Sequence, residues 1–549
     1  MKTILTAEAA KAADLFTVSD GNVSNQHLIH LAATAVMETL RTEAYDLSRP
    51  CILCGSGNNG ADGFELAYML KGVGAKVSVL YLGALYELPA PTKKKPSKNA
   101  VPEPAIDPAL VGKPKTEAMS EQCLAHYQKA LASNVPVLTE LVVKELPGAE
   151  QTETPDTEQI EFSLFIDAVY GTGMHGTIKD SRVCNTFDKI NASKIPVVAI
   201  DIPSGVCCNT GAVDAHALCA AHTVTMQHEK AGLLLYPGAE YTGKITVADI
   251  GLVNDPACKA PLVNALQDDD VEALLPTRPV RSNKGTFGRV LVVGGASGMA
   301  GAAYLAAAAA YRSGAGLVEI LTPIKNRTIL QQLIPEAVLT CYADKSKLKK
   351  ALKIATKRAD AIVLGCGLGK SKLALYCVKY VLKHARVPLV IDADALNIIA
   401  TKPSLLKGVS KKQKPQVIIT PHPVEAARLL DKKANADKVL ADVVLAAEQL
   451  CDKYKVNVLL KDARTLIRSH DAQTAYINLS GSTALAGAGS GDILAGMIGG
   501  LAAAKTNELP VATTAALAAF LHGKSGEAAE QKVGARAAMA RDILDALKE

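Results

Sequence analysis

The 549-residue chain contains no tryptophan, and its aromatic content is only 4%. So few rings leave little from which to build a base-stacking platform for single-stranded nucleic acid. Charge of one sign is also lacking, because 60 Lys and Arg against 54 Asp and Glu give a formal +6. Over this length that is too little to point to nucleic acid. No run of about 18 apolar residues escapes interruption by charge or glycine. The start, "MKTILTAEAAKAADLF", lacks the basic region and apolar run of a secretion signal. The expectation is a soluble, cytoplasmic protein that acts on small molecules, with no nucleic-acid and no membrane partner. Its twelve cysteines are scattered along the chain, the pattern of reduced, mostly buried thiols and not of a disulfide framework. Cys51 and Cys54 in "CILCGSG" are a tempting pair, but their spacing on a strand sends them to opposite faces.

What is abundant is small and aliphatic: 49% of residues are hydrophobic, suiting the Ala, Val, Leu and Gly cores of parallel α/β sheets. Short β-branched runs alternate with helical stretches. They are "VSVLYLG" (77–83), "FSLFIDAVYGTG" (162–173) and "IPVVAIDIPSG" (195–205), then "GRVLVVGG" (288–295), "AIVLGCGLG" (361–369), "PLVIDADALN" (388–397), "QVIITPHP" (416–423) and "VNVLLKDA" (456–463). This grammar predicts two α/β domains with mainly parallel sheets. A proline-bearing connection before "NKGTFGRV" puts their boundary near 270, giving domains 1–270 and 275–549. The Pro- and Lys-rich stretch 87–118 predicts an exposed insertion, and the whole of 87–160 is expected to be irregular.

Ligands of such sheets bind where strands run into helices, because loops and unpaired helix amides collect there. In the first half "GSGNNGADGFELAYML" (55–70) is one such turn. Asp167 in "DAVYGTGMHGT" and Asp201 with Ser204 in "DIPSG" end two more strands. Carboxylate, amide and hydroxyl oxygens without paired His or Cys suit a hard cation such as potassium or magnesium; the other reading is that the acids merely cap helices. In the second half "AGAGSGDILAGMIGG" (486–500) sets one acid, Asp492, among glycines and aliphatics. It is either a cap or a base beside an anion-binding helix start.

In order, "GSGNNGADG", "DAVYGTG", "DIPSG", "KGTFGRVLVVGG", "GCGLG", "DADALN", "TPHPVEA" and "GAGSGD" closely resemble the bifunctional NAD(P)H-hydrate repair enzymes. These fuse an epimerase domain to an ADP- or ATP-dependent dehydratase of the ribokinase-like superfamily. The resemblance implies a Rossmann-like first domain and a ribokinase-like second. It implies repair of NADHX and NADPHX, reduced dinucleotides hydrated at C6, by interconversion of the R and S hydrates and nucleotide-dependent dehydration of the S hydrate. Potassium would be held by Asn59, Asp167 and Ser204, with Asp167 ionised. The hydrate would meet Asn58, Asn59, Gly60, Ala61 and Asp62, then Gly171, Thr172, Gly173, Met174, His175, Gly176 and Thr177, and Asp201, which is the candidate proton carrier.

In the second domain the resemblance puts the hydrate beside Ala300, Gly369, His422 and Asp492. The nucleotide would lie along Lys461, Asp462, Ala463, Arg464 and Thr465 and at the amides of Gly489, Ser490 and Gly491, with Asp492 as base. Magnesium is expected, with Asp392 or Asp394 near it or else shaping a turn. A homo-oligomer is also expected. The chain departs from its relatives at Asp462 and Arg464, where a small Gly-Ala-Gly run is usual, and at Ser490, where Thr is common. Two other readings are a ribokinase-like small-molecule kinase with a fused binding domain, and a binding or regulatory protein.

Overall fold

The computed structural model describes residues 1–20, 23–86, 110–141, 162–174, 176–258, 262–431, 435–471 and 474–547. The chain divides into two compact units, one of residues 5–260 and one of residues 1–4 with 261–549. The first strand, β1 (Lys2–Ile4), therefore counts with the C-terminal unit.

Among the described residues of the N-terminal unit seven parallel strands lie in the order β4-β3-β2-β5-β6-β7-β8. They are β2 (Pro50–Cys54), β3 (Ser78–Tyr81), β4 (Val137–Leu138), β5 (Leu164–Ala168), β6 (Val197–Ile200), β7 (His222–Met226) and β8 (Lys244–Ala248). The order reverses between β2 and β5, where open α/β sheets bind ligands. β2 is buried on both faces, so its residues are apolar without alternation. Cys51 and Leu53 join one core cluster, and Ile52 and Cys54 the other, so the two cysteines face opposite ways.

Within 87–160, expected to be irregular, the described residues 110–141 hold a helix, Glu121–Ala132, and β4. The helix begins at Ser120, whose hydroxyl accepts the Cys123 amide, and it buries Cys123 and Ala130. It packs on the helix Asn58–Gly72. Composition misread this part, because the proline and lysine that mark 87–118 stop just before the amphipathic run begins. The rest of 87–160 lies outside the described residues.

The described residues of the C-terminal unit form eleven strands in the order β1-β9-β18-β17-β16-β15-β14-β13-β10-β11-β12. They include β9 (Leu262–Ala265), β10 (Arg289–Val293), β11 (Leu317–Pro323), β12 (Val338–Tyr342), β13 (Ala361–Leu364), β14 (Leu389–Ile391), β15 (Val417–Ile419), β16 (Asn457–Leu460), β17 (Leu466–Arg468) and β18 (Thr474–Ile477). From β12 through β10 to β16 every pairing is parallel, and the order reverses between β10 and β13. The helices Ala300–Arg312 and Ser490–Ala503 pack together, and their small side chains permit close approach. A Cβ on Gly496 would lie 2.1 Å from the Ala306 carbonyl oxygen, so this glycine is required.

Candidate active sites

The turn after β2 is built from close backbone contacts. A Cβ on Gly55 would meet the Val169 carbonyl oxygen at 2.2 Å, and one on Gly60 the Gly55 oxygen at 2.2 Å. This crowding holds Asn58 and Asn59, at the start of the helix Asn58–Gly72, against the chain leaving β5. Asn59 Nδ2 donates to the Tyr170 carbonyl at 3.0 Å, and the Tyr170 amide donates to Ser204 Oγ at 2.8 Å. Ser204 gives its hydroxyl to Asp167 Oδ1 at 2.7 Å and its amide to Oδ2 at 2.6 Å. Asn59, Asp167 and Ser204 thus form one connected set. Asp167 is fully buried, and burial raises its pKa to about 6 against the opposing hydrogen bonds from Ser204 and Val169. The set fits a hard monovalent cation in donor chemistry, since the amide, hydroxyl and carboxylate each retain oxygen lone pairs.

Beside it lies a cavity of about 170 Å³, lined among others by Asn58, Asn59, Asp62, Gly171, Thr172 and Asp201. Gly60 and Ala61 are buried behind it. Gly173, Met174, Gly176 and Thr177 do not line it, and His175 lies outside the described residues. Asp201 has a left-handed backbone, φ 68°, which turns its carboxylate toward Lys230. Lys230 Nζ reaches Oδ1 at 2.5 Å and also donates to Thr225 Oγ1 and the Met226 carbonyl, each at 2.9 Å. Asp14 and Asp62 share the cavity. Desolvation on its cavity side and then the Asp201 charge lift Asp14, otherwise exposed, to about 6, and burial followed by the Asp201 and Asp14 charges hold Asp62 well above the carboxylate range. Neither Lys230 nor Asp14 carries the strand-end signature of an acid beside glycines that marks the other site residues. Lys230 stands just past the end of β7, at the same sheet edge.

In the C-terminal unit Asp492 lies in the first turn of the helix Ser490–Ala503, behind Gly489, whose φ is 94°. Its carboxylate, that of Asp392 and the Cys366 thiol all lie within 4.8 Å of one another. Lys461, past β16, reaches Asp392 Oδ1 at 2.7 Å. Burial, then repulsion from Asp392, raises Asp492 to about 6, while Cys366 and Lys461 oppose the rise. Burial lifts Glu425 to about 7 and, with the Lys461 charge next, holds His422 below its ordinary value. His422 caps the helix Pro423–Leu430, its Nε2 3.5 Å from Glu425 Oε1.

Ala300 is buried at the first turn of the helix Ala300–Arg312. The Gly369 amide donates to Asp394 at 2.8 Å, which gives Asp394 a turn-shaping role. Asp392 is committed to Lys461, and the neighbouring soft thiol is a poor magnesium ligand. A magnesium ion would therefore depend on the phosphates of its nucleotide. Arg464 donates to the Leu479 carbonyl, and Thr465 to the Asp462 carbonyl at 3.2 Å, so these two side chains secure the turn that also carries Ala463. The Ser490 hydroxyl is buried against His522 at 3.2 Å, and its amide donates to the Gly487 carbonyl at a long 3.4 Å; the amides of Gly489, Ser490 and Gly491 are that loop's remaining polar groups. Cys366, Glu425 and His522 were not read from sequence. Cys366 was legible only as one more scattered cysteine, although it sits inside "GCGLG".

Residues 290–549 match the family model described as NAD(P)H-hydrate dehydratase, and residues 25–99 and 106–232 match that of the YjeF-related protein N-terminus. A bifunctional NAD(P)H-hydrate repair enzyme of Moorella thermoacetica is 34% identical over 514 residues, 91% of this chain and 86% of the relative. One from Escherichia coli is 30% identical over 94% of this chain and 88% of the relative. One from Leishmania major is 31% identical over 90% and 83%. Among solved structures, the ADP/ATP-dependent NAD(P)H-hydrate dehydratase of Bacillus subtilis, co-crystallised with ATP/Mg2+, is 29% identical. It covers 52% of this chain and 96% of its own, with a TM-score of 0.43.

Proposed function

Since the chain belongs to the family of bifunctional NAD(P)H-hydrate repair enzymes, we propose that its N-terminal unit epimerises the R and S hydrates of NADH and NADPH as an isomerase. The C-terminal unit dehydrates the S hydrate as a lyase, at the expense of ADP or ATP.

In the N-terminal unit the C6 carbon of the hydrate bears both nitrogen and oxygen, so loss and return of the hydroxyl needs only modest acid–base help. Asp201, oriented by Lys230 at 2.5 Å, moves that proton. Asn58, Asp62, Gly171 and Thr172 hold the ring in the cavity. Asn59, Asp167 and Ser204 would hold a potassium ion, which supplies positive charge beside the bound hydrate.

In the C-terminal unit hydroxide is a poor leaving group and phosphate a good one. Asp492 takes the proton of the C6 hydroxyl as that oxygen attacks the terminal phosphoryl group of the nucleotide. The bond to the nucleotide breaks, giving AMP from ADP. The ring nitrogen then expels inorganic phosphate, and loss of a ring proton restores the reduced dinucleotide. Such transfer depends on positioning and charge stabilisation, which fall to Lys461 and to the amides of Gly489, Ser490 and Gly491. Ala300, Gly369 and His422 shape the hydrate side. Magnesium would ride on the nucleotide phosphates.

The observation that carries the dehydratase reading is one carboxylate, Asp492, beside a lysine and a glycine-rich helix start. Its test is incubation of mixed NADH hydrates with ADP or ATP, following both epimers by chromatography together with phosphate release. Both epimers should disappear with return of NADH absorbance. Accumulation of a phosphorylated product would instead indicate a small-molecule kinase, and binding without turnover a regulatory protein.

A further inference from the structure

Between residues 345 and 414 the chain carries fifteen Lys and two Arg against three Asp, whereas the whole chain totals only +6. The mild net charge conceals a segregated one. All seventeen cations except Lys414 are exposed. Among the described residues none of them forms an ion pair. The three acids are already engaged: Asp360 accepts the Arg289 amide, Asp392 holds Lys461, and Asp394 accepts the Gly369 amide.

Most of these cations ride on the helix Lys345–Arg358, on Lys372–His384 packed beside it, and on the short helix Ser404–Lys407 packed against the second, with the loop that follows. Two grooves interrupt this surface. One, of about 460 Å³, has Lys350, Lys353, Lys357 and Arg358 around Ile354, which is 51% exposed. The other, of about 450 Å³, has Lys379, Lys383 and Arg386 with Leu382, Leu405 and two serines.

We propose that this face binds the surface of membranes rich in anionic phospholipid. A rim of cations beside aliphatic carbon matches an amphiphile, whose phosphate meets the lysines while its glycerol carbons meet Ile354 and Leu405. Nucleic acid fits less well. Its interfaces favour the forked guanidinium of Arg, whereas Lys outnumbers Arg here by fifteen to two. Single strands need exposed rings to stack on, and Tyr376 and Tyr380 are half-buried and stacked with each other and with His384. A charged bilayer asks only for clustered point charges near its surface.

The test is co-sedimentation of the full chain with phosphatidylcholine vesicles, with and without phosphatidylserine, over a range of salt. Binding should require phosphatidylserine and fall by roughly tenfold or more as salt approaches about 1 M, where the screening length shrinks to a few ångströms. Each cation near the surface contributes about fivefold in partitioning. Lys350→Glu/Lys353→Glu/Lys357→Glu and Lys379→Glu/Lys383→Glu/Arg386→Glu should therefore each lower it at least about a hundredfold, with unchanged turnover of the hydrates reporting an intact fold. No sedimentation with phosphatidylserine vesicles at low salt overturns the proposal. So does equal binding to pure phosphatidylcholine, indifference to both triple variants, or displacement by RNA or polyglutamate at matched charge. The salt series on the parent chain decides the matter even where a variant fails to fold.

Discussion

Lys461 Nζ stands 2.7 Å from Asp392 Oδ1, a carboxylate that is only 2% exposed, and a Cβ on Gly491 would lie 3.2 Å from the same Nζ. One ammonium group therefore underlies both the acidic pair and the glycine-rich loop. Burial opposes its charge, yet the Asp392 and Glu425 carboxylates hold its pKa above the ordinary lysine range. Lys461→Met leaves Asp392 buried and uncompensated, and should cost roughly 3 kcal/mol in thermal or denaturant unfolding. Lys461→Met/Asp392→Asn should recover most of that stability while remaining poor in dehydration. A double variant no more stable than the single one would count against the pairing.

Asp492→Asn preserves size and a capping oxygen but cannot take a proton. It should fold, bind nucleotide and epimerise, while dehydration of the S hydrate falls about 10²- to 10⁴-fold. Dehydration within a few-fold of the parent would make Asp492 a cap and shift attention to His422.

The acid limb of the parent's dehydration profile should reflect the raised Asp492. A base works ionised, so kcat/KM should fall as pH drops through about 6, and not near 4 as for an exposed aspartate. Cys366→Ala removes a hydrogen bond that lowers the Asp492 pKa, so it should move this limb to higher pH. An unmoved limb would mean that the thiol does not touch the base.

Epimerisation should require potassium, and dehydration of purified S hydrate should not require it in the same way. Because burial raises Asp167 to about 6, protonation should weaken cation binding below that pH. Potassium titrations of the epimerase rate at pH 5 and pH 7.5 should give the poorer affinity at the lower pH. Equal rates in potassium-free and potassium buffers would remove the cation from the account.

Glu65 is 1% exposed and is met by His30, His126 and Lys129 at 2.6 to 3.0 Å. Burial works against its charge, but the hydrogen bonds from these three partners pull its pKa down to about 2. A depressed folded-state pKa stabilises the fold above the unfolded value of 4.5 and is lost as pH falls toward 2. Glu65→Gln should lower the unfolding temperature at pH 7, and the gap from the parent should close as the buffer is acidified through this window.

The sheets were readable because their strands are short, aliphatic and closed by glycine. Asp492, Asp201, Asp167 and Ser204 were readable because each follows such a strand or opens such a helix. Lys230, Asp14, Cys366 and Glu425 were not, because their importance comes from charge neighbours remote in sequence: Lys230 meets Asp201 across 29 residues. The helix Glu121–Ala132 was hidden by the composition of the residues before it. The Arg464 side chain donates to the Leu479 carbonyl and the Ser490 hydroxyl pairs with His522, partners that only tertiary packing supplies.

β1 contributes Lys2, Thr3 and Ile4 to the edge of the eleven-stranded sheet, antiparallel to Val263, Asn264 and Ala265, while Leu5 already bonds Glu229 of the seven-stranded unit. During synthesis this edge strand is made about 260 residues before the partner it pairs with. A fragment cut at the junction near 260 would bare the backbone edge of β9, an invitation to aggregate. A peptide spanning the first residues, supplied in trans, is the natural remedy. In this protein the divisible modules of the gene and the divisible modules of the fold are offset by one strand.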